Sequence, residues 1–458
     1  MATEKIGIYR KYYGTVPVEE LGLPLATSEC RVCDRCAGRC GDSARMESAS
    51  ARASKAEEGE SDTLRRNRPR FEWERVTIMK RRVIFSFLIS WFAASATPAA
   101  PLDAQQPDFQ TATRAHDAIR KGLAFLVAGQ QPDGGWEMSG KSNPAVTALV
   151  IKALAQDKDY GPRHPAVRRG LDYVMTFVHP DGGIYVEDQG LNNYHTSVAL
   201  MALASMKDSG LAGTVKEAQN YLKKLQWDEG EGYESSSPWY GGQGYGSGKR
   251  PDLSNTQMML EALNESGLPP DDPVYKKALV FVQRCQMLGE TNDQPFAKGA
   301  TDGGFVYSPA NEGESKAGTE TGDSRPHLRS YGSMTYAGFK SMLYAKVDRD
   351  DPRVKAAVEW IRRYYTLDSN PNMPVAQSKE GLYYYYHVFA RAMEAFGEET
   401  ITDHQGAPHR WRSELCEKLV TLQHADGSWY NDADRWMEGN PHLVTAYSVL
   451  ALQTALGE

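Results

Sequence analysis

One short phrase recurs along this chain, and each copy marks a unit that must bury its apolar face against a neighbouring unit. It reads Gln130-Gln-Pro-Asp-Gly-Gly-Trp136, His179-Pro-Asp-Gly-Gly-Ile184, Thr301-Asp-Gly-Gly-Phe305 and Gln423-His-Ala-Asp-Gly-Ser-Trp429. Gln226-Trp-Asp-Glu-Gly-Glu-Gly-Tyr233 reads as an eroded fifth copy. Asp-Gly-Gly gives a tight turn, in which glycine takes positive φ and the aspartate accepts from nearby backbone N–H groups. The flanking Gln and Trp are suited to bridging and stacking on the adjacent unit. The phrase is therefore scaffold, and Asp133 and its equivalents are not expected to be catalytic.

Between the copies, apolar residues recur at helical spacing. Twelve helices are predicted, near 114–128, 144–156, 164–178, 194–206, 214–226, 254–266, 273–287, 331–346, 352–365, 381–396, 408–423 and 442–456. Odd segments often open with proline at the first turn, as at Pro165, Pro273, Pro352 and Pro408, and carry charge on one face. Even segments, such as Ala145-Val-Thr-Ala-Leu-Val-Ile151, are apolar almost all round. An amphipathic helix lies outside, and one that is apolar on every side is surrounded. Six outer and six inner helices in alternation describe an all-α fold, an (α/α)6 toroid, with strands confined at most to short hairpins around the Gly-Gly turns. Three outer-to-inner connections are long: 228–253, 288–330 and 366–380. This topology puts all three on one rim, together with the N-termini of the inner helices. Long connections tend to be functional, so that rim is the expected ligand site, with an anionic group favoured by the converging helix dipoles.

The first hundred residues differ in kind. Met79-Lys-Arg-Arg82, an apolar run over 83–94 and Ala94-Ser-Ala96 form the n-region, h-region and small-residue cleavage site of a secretory signal peptide, with a second cut point after Ala104. The sequence therefore reads as an N-terminal extension over 1–78, mis-called or disordered, a signal peptide over 79–104 and a toroid over 110–458. Export to the periplasm or the extracellular space through a Sec-type signal is expected. The extension carries Cys30-x2-Cys33-x2-Cys36-x3-Cys40, a spacing that could hold an iron–sulfur cluster or zinc. However, Gly41 follows where proline would be expected, and the flanks are polar. Without residues 1–104 the chain keeps 35 of its 52 Lys and Arg and 45 of its 59 Asp and Glu, a balance of −10. That charge disfavours nucleic acid and anionic membrane as partners. Only Cys285 and Cys416 remain, which is no disulfide framework, so the fold must be held by its core.

The repeated phrases, about 48 residues apart at first, resemble those of squalene and oxidosqualene cyclases and of protein prenyltransferase β subunits. The resemblance covers roughly 110–458. It implies the α/α-toroid superfamily without specifying a reaction. Triterpene cyclases start a carbocation cascade with an Asp-x-Asp-Asp-Thr motif opening an inner helix. Here Asp348-Arg-Asp-Asp351 is followed by Pro352 and opens an outer helix, so it reads as a turn and N-cap. The inner-helix openings Asp252-Leu-Ser-Asn-Thr256 and Asn192-Asn-Tyr-His-Thr196 lack paired acids. The prenyltransferase zinc set of Asp-x-Cys with a distant His is missing, as is the Cys-Gly-x-x-Gln of thioester domains. Neither a metal nor a cofactor is expected in the toroid.

What remains at the inner-helix openings is polar and aromatic. His195, Tyr336, His387 and Asp434 are the candidate catalytic residues. Tyr194, Asn255, Tyr331, Tyr384, Arg435 and Trp436 are the candidate ligand-binding ones. Aromatic rings with acids and His in a cavity suit an isoprenoid chain, whose cations and double bonds stack on π faces, or a sugar polymer. The leading expectation is a terpene-cyclase-like or prenyltransferase-like protein holding a lipid or isoprenoid, with peripheral membrane contact as a further partner. Its rivals are a lyase-like enzyme acting on extracellular polysaccharide, with Arg435 neutralising a uronate, and a non-catalytic interaction scaffold. The recurring Thr147, Thr196, Thr256, Thr335 and Thr445 are expected to be repeat packing.

Overall fold

A computed structural model describes residues 106–321 and 326–458. The expected signal peptide and the four-cysteine motif lie outside the described residues. Among the described residues twelve α-helices follow one another: α1 Phe109–Ala128, α2 Pro144–Gln156, α3 Pro165–Met175, α4 Asn192–Ser205, α5 Ala212–Lys224, α6 Leu253–Glu265, α7 Pro273–Arg284, α8 Gly332–Tyr344, α9 Pro352–Tyr364, α10 Leu382–Phe396, α11 Trp411–Leu422 and α12 Pro441–Leu456. The even helices pack in the order α2, α4, α6, α8, α10 and α12, and α12 returns to α2. Outside them α11 packs on α1, which joins the last unit to the first. The expected (α/α)6 toroid is what forms.

Burial explains which helices are inside. In α2 every residue from Pro144 to Ala155 is buried, whereas α3 buries only Ala166, Val167, Gly170, Leu171 and Val174. An inner helix is covered by its two ring neighbours, by an outer helix and by the filled lumen, so it tolerates little polarity on any side. Outer helices α3, α7 and α9 open with His164, Asp272 and Asp351 as N-caps and proline at the first position. The Asp348–Asp351 run is thus a turn and cap. Two details differ from the sequence reading. Pro408 lies in a short strand and α11 starts only at Trp411. Proline also opens inner helices α2 and α12, where Asn143 and Asn440 are the caps.

The repeated phrase bolts each unit to the next. Gln130 Nε2 donates to Gly134 O in its own turn and to Ala166 O in α3. Gln286 does the same with Gly303 O and Arg353 O in α9, and Gln423 with Gly427 O and Ala118 O in α1. The last of these fastens the final unit to the first. Gln226 reaches Gly241 O and Val274 O, which relocates the eroded copy: the true turn is Gly241-Gly242, and Gly230 to Gly232 belong to an inserted loop. The aspartates accept from their own turns, Asp133 from Gly135 N–H and Ser142, Asp181 from Gly183 N–H, and Asp426 from Ser428 N–H. Their work is structural, as expected.

The threonines complete the device. Thr147, Thr196, Thr256, Thr335 and Thr445 each accept through Oγ1 from the backbone N–H that ends the turn: Trp136, Ile184, Gln243, Phe305 and Trp429. An unpartnered buried N–H costs about 1–3 kcal/mol. Thr335→Val, nearly isosteric, is therefore expected to lower unfolding free energy by about 1–3 kcal/mol in a urea titration, and no change would show the bond to be dispensable.

Among the described residues four two-stranded antiparallel pairs decorate the connections: β1 Trp136–Met138 with β2 Lys141–Asn143, β3 Gln286–Leu288 with β4 Thr301–Phe305, β5 Thr319–Thr321 with β6 Pro326–Leu328, and β7 Thr400–Thr402 with β8 Pro408–Arg410. The last pair lies between α10 and α11, on the rim opposite the Gly-Gly turns. Cys285 and Cys416 are buried free thiols that fill the core. No helix among the described residues is long and apolar enough to cross a membrane.

Candidate functional site

The long connections and the first turns of the inner helices enclose a cavity of about 1040 Å3 of atom-free space, counting the open water at its mouth. Tyr194, Tyr245, Tyr307, Tyr331, Tyr384 and Tyr447 face it together with Met138, Met258, Met334 and Met437. The rings are held from behind or by one another. Tyr384 Oη lies 2.9 Å from Ser254 Oγ and accepts from Gln257 Nε2 at 3.0 Å, which ties α10 to α6 across the ring. Tyr194 and Tyr447 hydroxyls meet at 3.4 Å, tying α4 to α12.

Below the cavity the lumen is filled. Lys340 Nζ lies 2.6 Å from Glu261 Oε2, and Arg391 Nε lies 2.9 Å from Glu261 Oε1. Arg391 also pairs with Glu265 and Glu394, and Lys152 lies 2.5 Å from Glu265. These charges come from α2, α6, α8 and α10, so the network bridges helices that are not ring neighbours. It fills the lumen between the cavity and a recess at the other mouth that Lys152, Glu265 and Arg391 line.

The six inner-helix N-termini are capped from within the chain. Asn143 caps α2, Asp252 caps α6 and Asn440 caps α12. Tyr245 O accepts from the N–H groups of Asn193 and Tyr194 in α4, and Asn370 Oδ1 accepts from Ser333 N–H in α8. Helix α10 opens on Gly381, which has no side chain to cap it, and Glu438 Oε1 accepts from Tyr384 N–H at 2.7 Å instead. The dipole ends that favoured an anionic ligand are thus already occupied. Lys316 is the one cation among the described cavity-lining residues, and it pairs with Glu314. Glu314 is shared in turn with Arg250.

Glu438 is the residue the sequence reading missed. It is 1% exposed, lines the cavity and is held by Asn431 Nδ2 at 2.6 Å on its other oxygen. Burial pushes its pKa up to about 7, against the opposing pull of the Tyr384 and Asn431 hydrogen bonds. Asp252, 2% exposed behind Asn255, is raised by burial to about 6. The loop that delivers Glu438 carries Trp436 and Met437 at φ of 60° and 71°, a conformation ordinary side chains rarely adopt. The chain turns there so that Trp436 covers Gly381 while Glu438 reaches inward.

A carboxyl raised in the folded state binds its proton more tightly there than in the unfolded chain. Unfolding stability therefore falls as pH rises from the ordinary glutamate range to about 7. Glu438→Gln is expected to flatten that fall in urea titrations between pH 5 and pH 8, and an unchanged slope would show that Glu438 is not the group responsible.

Of the ten candidate residues, the cavity takes in Tyr194, His195, Asn255, Tyr331, Tyr384 and Trp436. The other four are placed elsewhere. Tyr336 points into the wall, its ring packed on Tyr385 and Phe389. His387 lies one turn beyond Tyr384 on α10 and lines a separate recess at the far mouth with Lys152 and Arg391. Asp434 is exposed and accepts from Gly439 N–H, closing the loop that carries Glu438. Arg435 sits over Trp436 and is paired with Glu380 at 2.5 Å outside the cavity. Asp434, Arg435 and Trp436 were thus picked out, but the inward acid of this loop is Glu438, two residues further on.

No protein-family model matches the chain, and no curated protein matches it. Among solved structures it is similar to the type II terpene cyclase MstE from Scytonema with merosterolic acid A bound, at 14% identity and a TM-score of 0.48, over 76% of this chain and 99% of that one. It is also similar to a D-mannose isomerase, at 13% identity and a TM-score of 0.48, over 75% of this chain and 97% of that one. A protein from Actinoplanes is similar at 18% identity and a TM-score of 0.46, over 74% of this chain and 99% of that one. The double ring described above is read from this chain's own helix contacts.

Proposed function

We propose that this protein is exported and binds an isoprenoid or comparable lipid chain in its rim cavity. The observation that carries the reading is the lining itself: six tyrosines and four methionines around one buried carboxyl, with a single, internally neutralised cation. Aromatic faces and thioethers offer polarisable apolar contact along the length of an unsaturated chain. Any chemistry on the bound chain would draw its proton from Glu438, since an acid whose pKa lies near 7 is half protonated at neutral pH. The polysaccharide-lyase reading loses its cation, because Arg435 is spent on Glu380 outside the cavity. Export rests on the Met79-Lys-Arg-Arg82 leader pattern.

The test is native mass spectrometry of protein purified from its own host, followed by incubation with C15–C30 polyprenyl lipids. A lipid-mass adduct is expected, with a rise in melting temperature of about 2–4 °C near saturation. No adduct and no shift with any chain would end this reading.

A further inference from the structure

We infer that the ligand of this cavity is an uncharged lipid bearing a hydroxyl, whose oxygen is read by the Nε2–H of His195 and whose proton is read by Oδ1 of Asn255. The inference rests on the lipid reading above and specifies the polar end of that lipid.

Two residues of the cavity wall each bury a polar atom that has no partner. His195 is 1% exposed and its Nε2 makes no hydrogen bond. Its Nδ1 accepts from Val186 N–H at 3.4 Å. A neutral imidazole that accepts on one nitrogen carries its proton on the other, so Nε2 is a donor. Burial lowers the His195 pKa to about 4, which keeps the ring neutral at physiological pH. Asn255 is 2% exposed on the neighbouring inner helix. Its Nδ2 faces both carboxylate oxygens of Asp252, at 2.9 and 3.1 Å. A carboxylate can only be met by the NH2 end of the amide, so Oδ1 is left as an acceptor without a partner.

An orphaned donor and an orphaned acceptor are each costly when buried dry, and native proteins keep few of them. The two residues that carry them line the same cavity. A hydroxyl supplies both complements at once. A diphosphate supplies only acceptors. It would also bring charge to a cavity whose lining cation is neutralised by Glu314 and whose inner-helix N-termini are capped. A saturated hydrocarbon would leave both atoms dry. Sites built to hydrogen-bond a hydroxyl discriminate strongly against analogues lacking it.

The experiment is titration of the full chain with three C20 probes: geranylgeraniol, phytane and geranylgeranyl diphosphate. It is repeated on His195→Phe, which removes the donor, and on His195→Gln, whose amide N–H reaches a similar position. In the wild type the alcohol should bind about tenfold or more tighter than the hydrocarbon, the equivalent of one net hydrogen bond, and tighter than the diphosphate. His195→Phe should erase most of that preference while leaving phytane affinity in place, and His195→Gln should recover part of it. Equal binding of alcohol and hydrocarbon, a preference for the diphosphate, or an undiminished preference in His195→Phe would each overturn the inference and leave the lipid reading standing. Failure of all three probes to bind the wild type would overturn the lipid reading and this inference with it.

Discussion

Glu261→Gln is expected to destabilise the fold by about 3–5 kcal/mol, the usual cost of breaking a buried ion pair from one side. Burial alone would raise the pKa of Glu261, but Lys340 and Arg391 beside it outweigh burial and hold the carboxyl well below its ordinary range. At neutral pH it is a fully charged group 1% exposed at its side chain, with one oxygen given to each cation. Neutralising it leaves Lys340 and Arg391 facing each other in the same dry space. Lys340→Met should cost less, because Glu261 keeps Arg391 and the methionine fills the volume. The depressed pKa also fixes the sign of the pH dependence. This stabilisation is present above the ordinary glutamate range and is lost as pH falls through the lowered one. Urea titrations of the two variants at pH 7 settle the order, and a Lys340→Met loss larger than that of Glu261→Gln would contradict the account.

Gly241→Ala is expected to cost about 2–5 kcal/mol, combining backbone strain of about 1–2 kcal/mol with overpacking of about 1–3 kcal/mol. Gly241 has φ of +80°, and a methyl group there would sit 1.9 Å from Lys277 O in α7. The backbone of an outer helix cannot move aside without breaking the Gln226 bridge to Val274 O. Gly140 is the matched control, with φ of +82° and nothing within 4 Å of the added carbon. Gly140→Ala should therefore show the strain component alone, about 1–2 kcal/mol. Equal losses at the two positions would mean that contact with the next outer helix does not matter. The same close approach recurs at Gly134, Gly182, Gly303 and Gly427, each against a carbonyl of the following outer helix. At Gly427 that helix is α1, so this position tests the seam of the ring.

The placement of the candidate residues shows where a sequence reading stops. Tyr194, His195, Asn255, Tyr331 and Tyr384 were found because they open inner helices, and the openings of all inner helices share one rim. Tyr336 and His387 failed the same argument because they stand further along their helices. One additional turn carries a side chain below the cavity or swings it into the wall. Asp434 and Glu438 lie four residues apart in a non-helical loop, where no periodicity relates one side chain to the next. The eroded copy at Gln226 misled for another reason. An insertion pushed its glycines to Gly241-Gly242, and only the hydrogen bonds of Gln226 identify the true turn.

The sequence by itself determined the number of units, the alternation of outer and inner helices and the rim on which the long connections meet. Those follow from local turn chemistry and from hydrophobic periodicity, which are written in neighbouring residues. Only the tertiary structure decided that the lumen is filled by the Lys340–Glu261–Arg391 network, that the helix ends are capped from inside, and that Glu438 is the acid turned inward. Apart from the local caps Asn143, Asp252 and Asn440, each of these joins residues far apart in the chain, and their protonation and pairing depend on the water that closing the ring excludes.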